Sequence, residues 1–267
     1  MNIMTGCLAP SSGQITIGGY DIIEKPNQAK RLMGYLPEQP PVYPDCTPRE
    51  YLCFVARAKK IPAMGKEIAR VMQLTGIVDV ADRLIGHLSK GYRQRVGIAQ
   101  ALLGDPEIII LDEPTVGLDP LQIVEIRQLI RQLGKDHTVI LSSHILSEIQ
   151  AVCDTVLIIS RGKLVACDTP ANLEAQYAGD ATVFLTVETE EAAAKKLLAE
   201  LELTDYTLTA ENNTCHVQIP APKGCDEEIR RRLFGACSRA NVTILSMTVQ
   251  KLTLEDIFIQ LTGKEAK

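Results

Sequence analysis

The sequence predicts an α/β protein in two parts: a parallel sheet carrying a helical subdomain, then a small α+β domain. Three observations predict it. Strand-length apolar runs alternate with helical segments between residues 107 and 160, as parallel βαβ units do. Residues 45–104 carry apolar positions at three- and four-residue spacing (Leu52, Val55, Ala56; Ile68, Val71, Met72), which marks helices. From about residue 180 the order becomes βαββαβ, that of a ferredoxin-like module.

Each element rests on local chemistry. Met1 to Cys7 reads as a helix end before a Pro-Ser-Ser-Gly turn, with a strand at 14–17 closed by Gly18-Gly19. The apolar stretch Met33–Leu36 is a strand that stops at Pro37. Strands are expected at 107–111, 138–142 and 155–160, with helices at 120–133 and 145–152. The second part places strands at 182–188, 205–210, 214–219 and 242–249 and helices at 190–202 and 225–240. Gln176 to Asp180 would link the parts, giving domains of 1–178 and 180–267. A last helix, Leu254 to Leu261, would start at Thr253, with Asp256 in a weak capping arrangement.

Composition narrows the class. A chain of 267 residues with 46% hydrophobic and 23% charged residues buries an ordinary globular core. A net charge of −5 points away from nucleic acid and anionic membrane surfaces, and Arg230–Arg232 reads as a solvated helix face. The eight cysteines include no C-x-x-C pair, so reduced thiols are expected rather than a metal site. No apolar run reaches the roughly 18 residues that span a bilayer. MNIMTGCLAPSSG lacks the basic and apolar regions of a secretory signal. The chain is therefore expected to be soluble, with any membrane role supplied by a partner.

The chemistry concentrates in residues 88–120, LSKGYRQRVGIAQALLGDPEIIILDEPTVGLDP. Ser89, Lys90 and Gly91 precede a helical run expected from Tyr92. The apolar strand Ile108–Leu111 ends in Asp112 and Glu113. A buried parallel strand delivers such a pair to the sheet's C-terminal edge, where one carboxylate can hold a metal and the other polarise a water.

In order and spacing, these segments resemble the nucleotide-binding domain of ATP-binding-cassette (ABC) transporters. LSKGYRQR is similar to the family's signature motif and IIILDEP to its Walker B strand. The resemblance implies a P-loop NTPase-like sheet with a helical subdomain at about 45–104. It implies ATP and Mg²⁺ as cofactors, with Asp112 as the metal ligand and Glu113 as the general base. Ser89, Lys90 and Gly91 would bind the nucleotide held by an opposing subunit. Asp119, in Gly117-Leu118-Asp119-Pro120, would lie in the loop that crosses the dimer interface; alone, that tetrapeptide is a turn and a Pro-started helix. His144, 31 residues beyond Glu113, matches the family's switch histidine. The family also places a glutamine after the strand Met33–Leu36. By spacing the equivalent is Glu38, with Gln39 next to it, and either oxygen can face a metal.

One part of the pattern is missing. None of the four Gly-Lys pairs (Gly65-Lys66, Gly134-Lys135, Gly162-Lys163, Gly263-Lys264) is followed by Ser or Thr, so the phosphate-cradling loop G-x-x-x-x-G-K-[ST] is absent. Residues 1–15 resemble the family's segment on the C-terminal side of that loop, and the chain reads as a cassette truncated just after it. The missing strand is expected next to the Walker B strand. Losing three or four charge-assisted phosphate contacts removes on the order of 5–10 kcal/mol, whereas micromolar affinity is only about 8 kcal/mol.

The tail Leu252–Phe258 is similar to cassettes that serve ABC-2-type exporters. The resemblance thus implies an ATPase that pairs with a copy of itself or a second cassette. It would sit at the cytoplasmic face of the plasma membrane through a separate ABC-2-type permease, without nucleic acid. A catalytically silent cassette acting as a binding or regulatory partner is the alternative. ABC proteins of translation or DNA repair carry tandem cassettes or coiled-coil inserts, and neither occurs here.

Overall fold

A computed structural model of the chain describes residues 1–177, 181–222, 224–250 and 254–263. Their contacts form two compact units, Met1–Val152 and Cys153–Lys267. The sequence alone puts the boundary at 178–180, and those three residues of the expected linker lie outside the described residues.

In the first unit Met1–Leu8 form hydrogen-bonded turns (Thr5 N–H to Met1 O, 3.1 Å; Cys7 N–H to Asn2 O, 2.9 Å) rather than a continuous helix. The expected strand at 14–17 shortens to β1 (Thr16–Ile17), which pairs antiparallel with β2 (Tyr20–Asp21) across Gly18-Gly19. Then come α1 (Pro26–Arg31) and β3 (Met33–Leu36). The helical segment holds α2 (Pro48–Ala58), α3 (Met64–Leu74) and α4 (Lys90–Leu102). Thr47 starts α2 with a reciprocal cap: its hydroxyl accepts Glu50 N–H (3.2 Å) and the Glu50 carboxylate accepts Thr47 N–H (2.9 Å). The unit closes with β4 (Ile108–Asp112), α5 (Pro120–Leu133), β5 (Thr138–Ser142) and α6 (Leu146–Val152).

β3, β4 and β5 form a parallel sheet in that order, with Leu36, Leu111 and Leu141 in register. β4 is thus hydrogen-bonded on both sides. This corrects the expectation of a further strand beside it: another strand can add only outside β3 or β5. Ile109 and Leu111 pack on the α2–α5 core, while Ile110 on the opposite face packs with Ile17, Ile22, Ala29 and Met33. Burial on both faces is why this strand reads as an unbroken apolar run. Each such side chain contributes about 1.5–3 kcal/mol, which anchors the acidic pair at its end.

The second unit opens with β6 (Val156–Ser160) and β7 (Lys163–Asp168). The alternation of strands and helices predicts that β6 continues the parallel sheet; among the described residues it pairs antiparallel with β7 instead. The two-residue loop Arg161-Gly162 has φ +47° and +78°, a hairpin turn with both residues left-handed. After α7 (Pro170–Tyr177) come β8 (Ala181–Glu188), α8 (Glu191–Glu200), β9 (Thr207–Glu211), β10 (Thr214–Ala221), α9 (Asp226–Arg239) and β11 (Thr243–Gln250). The sheet order β11-β8-β10-β9 is antiparallel throughout, the ferredoxin-like arrangement expected from βαββαβ. Val183, Leu185, Val217 and Ile219 on one face of this sheet pack with Leu198 of α8 and Leu233 of α9. α10 (Leu254–Gly263) buries Leu254 and Ile257; Leu252, Thr253 and Lys264 lie outside the described residues. Among the described residues no helix is long and apolar enough to cross a membrane.

Candidate functional site

Parallel strands in register bring their C-terminal ends to one edge of the sheet. The segments after Leu36, Leu111 and Leu141 leave that same edge, where ligands bind in open α/β folds. They carry Glu38 and Gln39, Asp112 and Glu113, and Ser142 to His144 respectively.

Ser142, in register with Asp112, ties two of these segments together. Its hydroxyl donates to Asp112 Oδ1 at 2.5 Å, and its oxygen accepts the Glu113 N–H at 3.0 Å. The chain then turns sharply, with Glu113 at φ +48°, a conformation that costs a non-glycine residue about 1–2 kcal/mol. Glu113 Oε2 lies 2.8 Å from His144 Nδ1. A carboxylate only accepts, so Nδ1–H donates, and Nε2 becomes the outward nitrogen. The Glu113 side chain is 20% exposed and that of His144 63%. The arrangement is an outward imidazole fixing the carboxylate beneath it, and such a carboxylate is placed to take a proton from water.

Asp112 offers the hard oxygen that Mg²⁺ prefers. Among the described residues no three His, Cys, Asp or Glu side chains gather around a common metal position. That donor set fits Mg²⁺, which binds through one or two carboxylates together with phosphate oxygens and waters.

A second cluster forms at the start of α4. The helix begins at Lys90 rather than at Tyr92, because Ser89 caps it by accepting Tyr92 N–H at 3.3 Å. Ser89 and Lys90 are exposed, so a 13-residue helix presents its N-terminal dipole and N–H groups to solvent. This end abuts the turn before α5. A Cβ on Gly91 would come within 2.6 Å of the Gln122 side-chain amide, and one on Gly117 (φ +68°) within 2.2 Å of Lys90 Nζ. Asp119 is exposed and caps α5, its Oδ1 accepting Gln122 N–H at 2.9 Å. The turn from Glu113 to Leu118 connects the clusters along the chain (Val116 N–H to Glu113 O and Leu118 N–H to Thr115 O, both 3.2 Å).

Glu38 and Gln39 are both exposed. Behind them, Tyr51 Oη lies 3.0 Å from Pro41 O and 2.6 Å from Gln100 Oε1, and burial pushes its pKa up to about 12. Tyr43 stacks edge-on against Tyr51 and beside Phe54, with ring centroids 5.7 Å apart in each pair, and both Tyr43 and Phe54 keep exposed faces.

The structure thus brings together Asp112, Glu113 and His144, and separately Ser89, Lys90, Gly91 and Asp119. Sequence reasoning assigns nothing to Ser142, Thr115, Arg127 or Glu148. Thr115 and Glu148 are buried and share a hydrogen bond, with Arg127 Nη2 3.5 Å from Glu148 Oε1. A hydroxyl at the end of the strand beside Asp112 is the available signal for Ser142; nothing local marks the other three.

Residues 1–116 match a family model described as ABC transporter. The chain is 30% identical to the linearmycin resistance ATP-binding protein LnrL of Bacillus subtilis (strain 168), covering 99% of this chain and 85% of the relative. It is 32% identical to the bacitracin transport ATP-binding protein BcrA of Bacillus licheniformis, covering 98% and 83%. A solved ATP-binding subunit of an ABC transporter superposes with TM-score 0.58 at 30% identity, covering 66% of this chain and 75% of that one. CbiO1 from Clostridium perfringens, part of the ABC transporter complex cbiONQ, gives 0.60 at 26% identity, covering 75% and 78%.

Proposed function

The chain belongs to the ABC transporter ATP-binding family, and on that premise we propose that it is the ATP-hydrolysing subunit of an exporter working through a separate ABC-2-type permease. The observation that carries this is the Asp112–Ser142–Glu113–His144 arrangement at the sheet edge. A magnesium ion bound with ATP neutralises phosphate charge during transfer, and Asp112, oriented by Ser142, is the residue to hold it. Glu113 accepts the proton of the attacking water. His144 keeps that carboxylate oriented and turns its outer nitrogen toward the phosphate side. Ser89, Lys90 and Gly91 offer a helix start to the phosphate of a nucleotide bound by a second cassette, with Asp119 at the same contact. Glu38 and Gln39 complete the edge, and the exposed Tyr43 and Phe54 beside them suit contact with the membrane partner. In this reading residues 1–178 are the cassette, 180–267 are an accessory domain, and the permease holds the protein at the cytoplasmic face of the membrane. The names of LnrL and BcrA, linearmycin resistance and bacitracin transport, support export as the direction.

The 267 residues hold no G-x-x-x-x-G-K-[ST] loop, so the phosphate grip must be supplied in addition to them. That observation favours the second reading, a silent cassette that binds or regulates a complete one. The deciding experiment measures ATP turnover in a form that includes a phosphate loop. Glu113→Gln is expected to abolish turnover while nucleotide binding persists, and undiminished hydrolysis would remove Glu113 from the role of base.

A further inference from the structure

Glu148 lies in a place that the nucleotide chemistry does not explain. Its carboxylate is buried on α6, accepts the Thr115 hydroxyl at Oε2 and faces Arg127 Nη2 at 3.5 Å from Oε1. Arg127 Nε is buried without a partner among the described residues. An ion pair with its carboxylate buried and its guanidinium partly exposed is a poor source of stability, because desolvation offsets its attraction. Its placement is more informative. Thr115 is two residues past Glu113, and Glu148 is four past His144. The segment between His144 and Glu148 is itself fixed, with Ile145 N–H on Ser143 Oγ and Glu148 N–H on Ile145 O, both at 3.0 Å. The Glu113–His144 contact therefore sits between two cross-links: Ser142 on its strand side and Thr115–Glu148 on its helix side.

We propose that Glu148 is a positioning residue, anchored by Arg127, that sets the Glu113–His144 hydrogen bond through Thr115. Its side-chain polar partners among the described residues are Thr115 and Arg127 rather than either partner of that bond, and it acts by fixing the two backbones that carry them. The inference rests on the reading of Glu113 and His144 as a working pair, and one experiment separates the two ideas.

The readout is the imidazole tautomer, seen by ¹⁵N NMR of the histidine-labelled full chain at alkaline pH, above the ordinary histidine range. The chain has only four histidines. His144 donates through Nδ1 to Glu113, so it is held as the Nδ1–H tautomer. His137 donates through Nδ1 to Pro106 O at 2.7 Å and serves as an internal monitor of folding. Thr115→Val and Glu148→Gln are each expected to move His144 most of the way to the signal it shows in Glu113→Ala, leaving His137 in place. Should Glu148→Gln also release His137, the milder Thr115→Val decides. If Glu113→Ala releases His144 and neither Thr115→Val nor Glu148→Gln does, the positioning role is overturned while the pair stands. If Glu113→Ala leaves His144 unchanged, the pair itself is absent in solution and the inference falls with it.

Discussion

Ser142→Ala removes one oxygen from the point where the acidic strand end is tied to its neighbour. In the folded protein that oxygen donates to Asp112 at 2.5 Å and accepts Glu113 N–H at 3.0 Å. A hydrogen bond to a charged group contributes about 1.5–3 kcal/mol, and a donor left unsatisfied costs about 1–3 kcal/mol. Ser142, Asp112 and Glu113 are all only partly buried, so water replaces some of the loss and the lower ends apply. The expected destabilisation is roughly 2–3 kcal/mol. With a urea m-value of about 2 kcal/mol/M, the midpoint should fall by about 1 M. Tyrosine fluorescence is a suitable probe, because five of the seven tyrosines lie in Met1–Val152. Combining Ser142→Ala with Asp112→Ala should lose clearly less than the sum of the two single changes, since both break the same bond. A midpoint shift below about 0.2 M, or strict additivity with Asp112→Ala, would refute the bridging role.

Two further outcomes concern pH. The Arg70 guanidinium beside Glu67, at 2.8 and 2.9 Å, holds its carboxyl below the usual range against the opposing effect of burial, helped by the Gly104 N–H at 3.0 Å. A depressed folded-state pKa gives stability that is present above the unfolded value of about 4.3 and is lost as pH falls through the lower folded value. Acid titration of stability in Glu67→Gln should therefore be flatter below that range than in the parent, and superimposable curves would contradict this. Burial instead raises Tyr51 to about 12, so its contribution is present below the unfolded value of about 10 and declines as pH rises toward 12. Tyr51→Phe should lose that alkaline slope in urea melts, while an unchanged slope would assign it to other groups.

Much of the site is legible in the sequence because its chemistry sits at the ends of strongly patterned elements. Ile108–Leu111 announces a strand buried on both faces, and the carboxylates at its end have nowhere to go but the edge. The helix expected from Tyr92 starts at Lys90 because Ser89 caps it, and only tertiary contact shows Lys90 lying against Gly117. Ser142, Thr115, Arg127 and Glu148 are silent because a hydroxyl or an ion pair acquires its partner only when distant segments meet. The backbone of Glu113 is equally unreadable: a left-handed glutamate has no local signal. The ribbon of β6 and β7 is hidden because Arg161-Gly162 forms a turn usually marked by Asn-Gly or Asp-Gly. The βαββαβ order of the last part is recovered in full, because strands such as β8 and β10 alternate buried and less buried residues cleanly.

The proposed division of labour gives these 267 residues the water-activating half of a hydrolytic site and leaves the phosphate grip to be supplied in addition. Calorimetric titration of the chain alone with MgATP tests it most directly. The expected result is no saturable binding in the micromolar range, because the contacts worth on the order of 5–10 kcal/mol are not in the sequence. Binding at a Kd of about 1 μM, close to 8 kcal/mol of affinity, would mean that these residues grip phosphate by themselves and would contradict that division.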